Sequence, residues 1–320
     1  MSHEIDMTTG MPAIAYVGET PWHGLGQKLE EGASIDTWTV SAGLAWRACR
    51  TAVEFTLPFE DAPHFMENRH VLYRDDTLAA LSVVSDTYKI AQPAQVMDFF
   101  RELTEQSDAK METAGSLHGG KVIWALARLG ENLAIMDDFV APYLLLSTSY
   151  DMSTPTLAKF VATRVVCNNT IQIAMREGTK QIRIPHSAEF RTSDIRAGLD
   201  ISLNEFEAFR QKALKLAGTP FRMSDMDKYL IALLQPVESG EIDSDVIRKS
   251  KAYRKIVDLF EGEQIGAEQG AMKSTAWGAL NAVTQYIDHV KGNNQSSRLS
   301  DAWWGQGATF KERALELLAA

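Results

Sequence analysis

Cys167 stands in the run Arg164-Val165-Val166-Cys167-Asn168-Asn169-Thr170, where a thiol beside hydrogen-bonding side chains invites a chemical reading. A cysteine nucleophile needs a base to take its proton and a third group to orient that base. His23, His64, His70, His118 and His186 are the available bases, and none stands in a recognisable signature. The thiol's apolar neighbours, Val165, Val166 and Ile171, suit a small buried hydrophobe, so its expected role is packing. The 7 histidines and 2 cysteines show no paired metal-ligand spacing, and no bound metal is expected. Asp75–Asp76 and Asp137–Asp138 read as solvated turns. The glycine pairs in 24–26 and 305–307 fit neither the dinucleotide fingerprint nor the phosphate loop. Lys311 follows Gly307 by four residues, but no strand clearly precedes that loop. No ATP and no other cofactor are expected.

The same stretch offers a different chemistry. Lys159, Arg164, Asn168, Asn169, Thr170, Arg176 and Arg183 combine cations with neutral donors, and Lys180 lies among them. Arginine presents a planar fork to phosphate oxygens, and asparagine and threonine add uncharged hydrogen bonds. Such a set can follow a sugar–phosphate backbone without reading bases. The formal net charge is −10, which disfavours polyanions in general. The charge is uneven, however: residues 1–110 carry 8 positive and 17 negative side chains, whereas 150–185 carry 5 and 2. Only the local potential matters at a groove. The competing reading makes Asn168 and Asn169 turn residues and the charges a solvated face.

These residues need elements to hold them. Short β-branched and aromatic runs at 47–58, 69–75, 78–84, 109–117, 121–129, 142–150, 156–163 and 181–187 predict strands. Gly119–Gly120 reads as a hairpin turn. Pro93 opens a helix over 93–106 with Val96, Phe99, Phe100 and Leu103 on one face. A helix over about 164–177 would place Arg164 and Asn168 on one side. From about residue 190 helices dominate, at 193–218, 223–235, 243–262, 270–290 and the C-terminal tail. The fold class is therefore α+β: an antiparallel sheet with a β-β-β-α core in a domain over 1–190, then an all-α region over 191–320. There is no apolar run of membrane-spanning length and no secretory leader, and a cytoplasmic location is expected.

Three motifs carry a family resemblance: "ETPWHGLG" (19–26), "STSYDMSTP" with "RVVCNNTIQIA" (147–155 and 164–174), and "SSRLSDAWWGQGATFKERAL" (296–315). They resemble the phage/plasmid-related proteins built on domain of unknown function 932, over nearly the whole chain. The order β-β-β-α across 121–177 is also similar to the core of phage single-strand annealing proteins of the Red-beta, RecT and Erf types. That likeness implies ATP-independent binding of single-stranded DNA and strand annealing in recombination. It implies a ring or filament of identical subunits, with the DNA backbone in a basic groove and a host single-strand binding protein as a candidate partner. Trp22 would either stack on a base or plug a core or subunit joint. Two other classes stay open: a regulatory or anti-restriction factor that binds a host protein, and an enzyme acting on nucleic acid.

Overall fold

The computed structural model describes residues 5–18, 24–164, 170–172, 182–235, 243–292, 301 and 305–319. The fold is α+β, with mostly antiparallel strands and helices concentrated in the C-terminal region. The chain forms two compact units. One comprises 1–130, 144–159 and 181–199, the other 131–143, 160–180 and 200–320.

In the first unit β1 (Ile14–Tyr16) pairs in parallel with β2 (Gln27–Lys28) and antiparallel with β6 (Lys110–Leu117). Next come β7 (Val122–Arg128) and then the Leu144–Ser149 half of β9 (Asp138–Ser149). The start of β10 (Thr156–Arg164) follows, and β12 (Ile182–Ile184) pairs with it. Helix α1 (Ile35–Ser41) is capped by Ser34, whose side chain accepts from Thr37 N. Helix α2 (Pro93–Gln106) begins with proline at a position where the missing N–H costs nothing. Its Val96, Met97, Phe99 and Phe100 are buried, and it packs against β6 and β7. Gln92, just before it, also brackets Ala48, donating to its carbonyl at 2.8 Å and accepting from its N–H at 2.9 Å.

A separate three-stranded sheet is built from β3 (Ala48–Thr56), β4 (Pro63–Arg74) and β5 (Ala80–Ser85). The sequence FEDAPHF, which reads as a loop, in fact contributes its end to β4. Near the base of this sheet Arg74 is buried. It bonds Asp6 and forks onto Asp76 at 2.9 and 2.7 Å, with its guanidinium 4.6 Å from the Trp46 ring centroid. Gly120, at φ +97°, leaves the room that Arg74 needs: a Cβ there would meet Arg74 Cδ at 2.9 Å.

In the second unit β8 (Leu133–Ile135) pairs with the first residues of β9, and the end of β10 pairs with β11 (Thr170–Gln172). Helix α3 (Thr192–Ala217) runs into this unit. After it come α4 (Met223–Leu234), α5 (Ser244–Arg248), α6 (Lys251–Asp258), α7 (Ala276–Gln285) and α8 (Gln306–Ala319). Every residue of α7 is buried, the pattern of a helix enclosed on all sides. A Cβ on its Gly278 would lie 1.9 Å from Met272 O, so only glycine fits. Trp277 Nε1 donates to Asp138 Oδ2 at 2.9 Å, and Asp137 accepts from the N–H groups of Gly270 and Ala271 at 2.6 and 2.8 Å. Asp138 is thus a buried acceptor rather than the solvated turn residue expected from sequence. Among the described residues no helix is long and apolar enough to cross a membrane.

Arg74→Met should lower stability by about 3–5 kcal/mol, because it strands the buried Asp6 carboxylate without a countercharge. Chemical denaturation checks this, and a loss below about 1 kcal/mol, the scale of a surface pair, would show the cluster to be dispensable.

Candidate nucleic-acid interface

The STSYDMSTP motif makes the turn between β9 and β10. Ser147, Thr148, Ser149 and Tyr150 are fully buried. Tyr150 OH donates to Ala91 O at 2.8 Å, its N–H donates to Lys121 O at 2.7 Å, and its ring lies 5.3 Å from that of Trp46. Ser149 Oγ donates to Thr154 O at 2.6 Å and accepts from Thr154 N at 3.1 Å, closing the turn. Asp151 Oδ1 accepts from Ser153 N at 3.0 Å, as aspartate does in tight turns. The Ser149 hydroxyl is thus spent on the backbone and that of Thr148 on Thr156 Oγ1 at 2.8 Å, which explains how these polar residues can be buried.

The segment after β12 is anchored on this turn. The His186 ring stacks on Tyr88 with centroids 4.7 Å apart, and its Nε2–H donates to Thr154 O at 2.9 Å. Tyr88 OH in turn donates to Ser149 O at 2.8 Å. Burial pulls the imidazole below its ordinary 6.5, outweighing the Thr154 carbonyl and Asp151, which act in the opposite direction. His186 is thus neutral at pH 7, and its Nε2 is committed to a structural bond rather than to a thiol.

The candidate phosphate contacts are distributed as follows. Lys159 lies within β10 at 5% exposure, so it is a buried residue and not the open cation expected from sequence. Arg164 is the last residue of β10, and the register Thr163↔Thr170 puts it at the same end of the β10–β11 pair as Thr170. Arg183 is exposed on β12, opposite Leu157. Asn168, Asn169, Arg176, Lys180 and Cys167 lie outside the described residues, as do Trp22 and His23. The helix expected over 164–177 is not what forms, because Thr170–Gln172 is a strand. Val161–Thr163 of β10 are paired by it, and a helix there would leave that strand's backbone groups without their ladder partners. The shared helical face of Arg164 and Asn168 lapses with it. Among the described residues, β11 is the element that follows β10.

The glycine motif near the C-terminus is a cap. Asp301 Oδ1 accepts from Gly307 N at 2.9 Å, Lys291 donates to its Oδ2 at 3.2 Å, and a Cβ on Gly305 or Gly307 would meet Asp301 at 2.8 Å. Lys311 is buried in an ion pair with Asp288 at 2.6 Å. Both groups are engaged within the protein.

Sequence reasoning missed two features. One is a pocket of about 470 Å³ in the second unit, with Phe221, Phe260 and Met272 inside and Arg222 and Lys273 at its edge. Its lining comes from three separate segments with no common motif. The other is the outer part of the β3–β4 hairpin, where Phe55, Leu57, Phe59, Phe65 and Met66 are exposed. Among the described residues no group of three or more His, Cys, Asp or Glu could hold a metal ion.

Residues 80–304, most of the chain, match the family described as Domain of unknown function (DUF932), and the chain belongs to that family. No curated protein and no solved structure gives a match.

The histidine contact predicts an acid-side loss of stability. A site that holds imidazole neutral contributes fully above about pH 6.5, and its contribution falls as pH drops toward the lowered folded value. Denaturant midpoints from about pH 7 to about pH 5 should therefore decline, and His186→Phe, which can still stack on Tyr88, should flatten that decline. An unchanged slope in the variant would assign the pH dependence elsewhere.

Proposed function

We propose that this chain binds single-stranded DNA by its backbone, without ATP or sequence preference, and promotes annealing of complementary strands as an oligomer. The setting is phage or plasmid recombination in the cytoplasm. The observation that carries the reading is the reversal of charge over 150–185 in an acidic chain. Within that stretch Arg164 stands at one end of an antiparallel strand pair, beside Thr170. Strand ends present backbone and side-chain donors together, the mix that phosphate oxygens take up.

The mechanism is physical. Arg164, Arg176 and Arg183 neutralise phosphates and release counterions, while Asn168, Asn169 and Thr170 donate uncharged hydrogen bonds. The bases remain free to pair. Lys159, being buried, supports β10 and does not meet the phosphates directly. The support for this reading is the charge pattern of the chain.

A second reading, binding to another protein, is favoured by the exposed apolar hairpin of β3 and β4, whose carboxylates Glu54, Glu60, Asp61 and Glu67 do not suit a nucleic acid. The two readings use different parts of the chain.

Complementary fluorescent oligonucleotides, mixed without nucleotide at low and high salt, provide the test. The wild type should accelerate annealing at low salt and lose the effect at high salt. Arg164→Ala and Arg183→Ala should each weaken binding and flatten the slope of log affinity against log salt by about 0.7, the loss of one phosphate contact on a single strand. Their melting temperatures should match the wild type. A wild type that neither binds nor anneals at low salt would sink the proposal.

A further inference from the structure

The tip of the β3–β4 hairpin holds an aromatic side chain where the backbone would favour glycine. Glu60 N donates to Leu57 O at 3.2 Å, closing a turn with Pro58 and Phe59 at its centre. Phe59 has φ +74°. Proline followed by a residue of positive φ defines a type II turn, whose third position is normally glycine or asparagine. A bulky side chain there is strained. The strain brings no contact in this chain: Phe59 is fully exposed, at 106% of its reference area. Around it the hairpin is organised. The Phe55 and His64 rings stack 5.6 Å apart, and His64 Nε2–H donates to Glu60 Oε2 at 2.6 Å. Glu60 and Asp61 follow Phe59 directly.

The pocket in the second unit has the complementary chemistry. Phe221 meets Phe260 and Tyr229 edge to face, at 6.3 and 5.9 Å. Phe221 N donates to Ser274 O at 2.8 Å, and Pro220 bridges to Thr275, so this wall is fixed in advance. The rim carries Arg222 and Lys273 against the single carboxylate of Glu261. Gln264 lines the cavity at 4% exposure, and its Oε1 has no hydrogen-bond partner among the described residues. A buried acceptor left open is costly unless a ligand supplies a donor. A volume of about 470 Å³ takes an aromatic side chain and part of the turn that bears it.

We propose that the Pro58–Phe59 tip of one copy docks into the Phe221–Phe260–Met272 pocket of a second copy. Phe59 fills the aromatic cavity, Glu60 and Asp61 face Arg222 and Lys273, and a backbone N–H of the turn donates to Gln264 Oε1. The acidic residues beside Phe59 argue against a nucleic acid or an anionic membrane as the occupant. Tip and pocket are different surfaces, so the contact is heterologous and a joined pair keeps one free tip and one free pocket. The contact supplies a joint for the oligomer in the proposed function, but it rests on separate residues and stands or falls separately.

Light scattering and sedimentation of the full chain over a concentration series test the joint. The wild type should assemble progressively. Phe59→Gly should weaken association roughly tenfold or more, as expected for an aromatic anchor. Its melting temperature should not fall, because glycine removes the strain. Arg222→Glu with Lys273→Glu should also block assembly. The two assembly-deficient proteins, once mixed, should form a one-to-one dimer, since one brings the intact pocket and the other the intact tip. A monomeric wild type, or a Phe59→Gly protein that assembles normally, would overturn the proposal, as would failure of the mixed variants to pair. Annealing by a protein that does not assemble would remove the joint and leave the DNA reading intact. Assembly without DNA binding would do the reverse.

Discussion

A strand buried on both faces has no water for its backbone, so every N–H and C=O along its edges needs a partner within the protein. β9 and β10 impose this condition on the rest of the chain. Their residues from Val140 to Ser149 and from Thr156 to Ala162 are almost uniformly buried. Short strands satisfy the outer side of β10: β12 against Thr156–Ala158 in one unit, and β11 against Val161–Thr163 in the other. The basic stretch 150–185 thus supplies edge strands for an apolar core. That is how cations in an acidic protein come to border a sheet, with Arg183 in the open.

Most of the charged and polar groups that pack inside this protein are taken up by an internal partner. Arg74 lies between two aspartates and over Trp46, Lys311 meets Asp288, and Asp138 accepts from Trp277. The hydroxyls of the β9–β10 turn bond carbonyls and each other. Such pairs add little net stability over apolar packing, but they are costly to break, because the remaining partner cannot return to water. Their effect is to fix registers and helix ends. Residues that look chemically reactive in sequence, such as Lys311 and His186, are occupied in this way.

The outer hairpin departs from this pattern in the opposite sense. Its apolar side chains are exposed, and its tip accepts strain to display one of them. A two-stranded ribbon without a covered face is marginal in water by itself. Here Arg74 at the base and the ladder to β5 hold it. Local strain at an exposed aromatic is a sign of use by another molecule, and it is a different sign from the charge reversal near β11.

The amino-acid sequence determined whatever depends on neighbours along the chain. Pro93 and the spacing of Val96, Phe99 and Phe100 set the helix at 93–106, and Gly119–Gly120 sets the turn between β6 and β7. The switch to helices after residue 190 made the α+β class legible, because periodicity and turn chemistry are local properties. Tertiary structure decided what distant partners control. Residues 170–172 are a strand because β10 offers an edge, although their apolar spacing also fits a helix turn. Lys159 is buried because its strand is covered on both faces. The pocket draws its walls from segments spread from Phe221 to Ser274, and Asp138 became a buried acceptor only when Trp277, 139 positions away, reached it. Burial and long-range hydrogen bonding depend on which surfaces meet, and that is fixed only once the chain has folded.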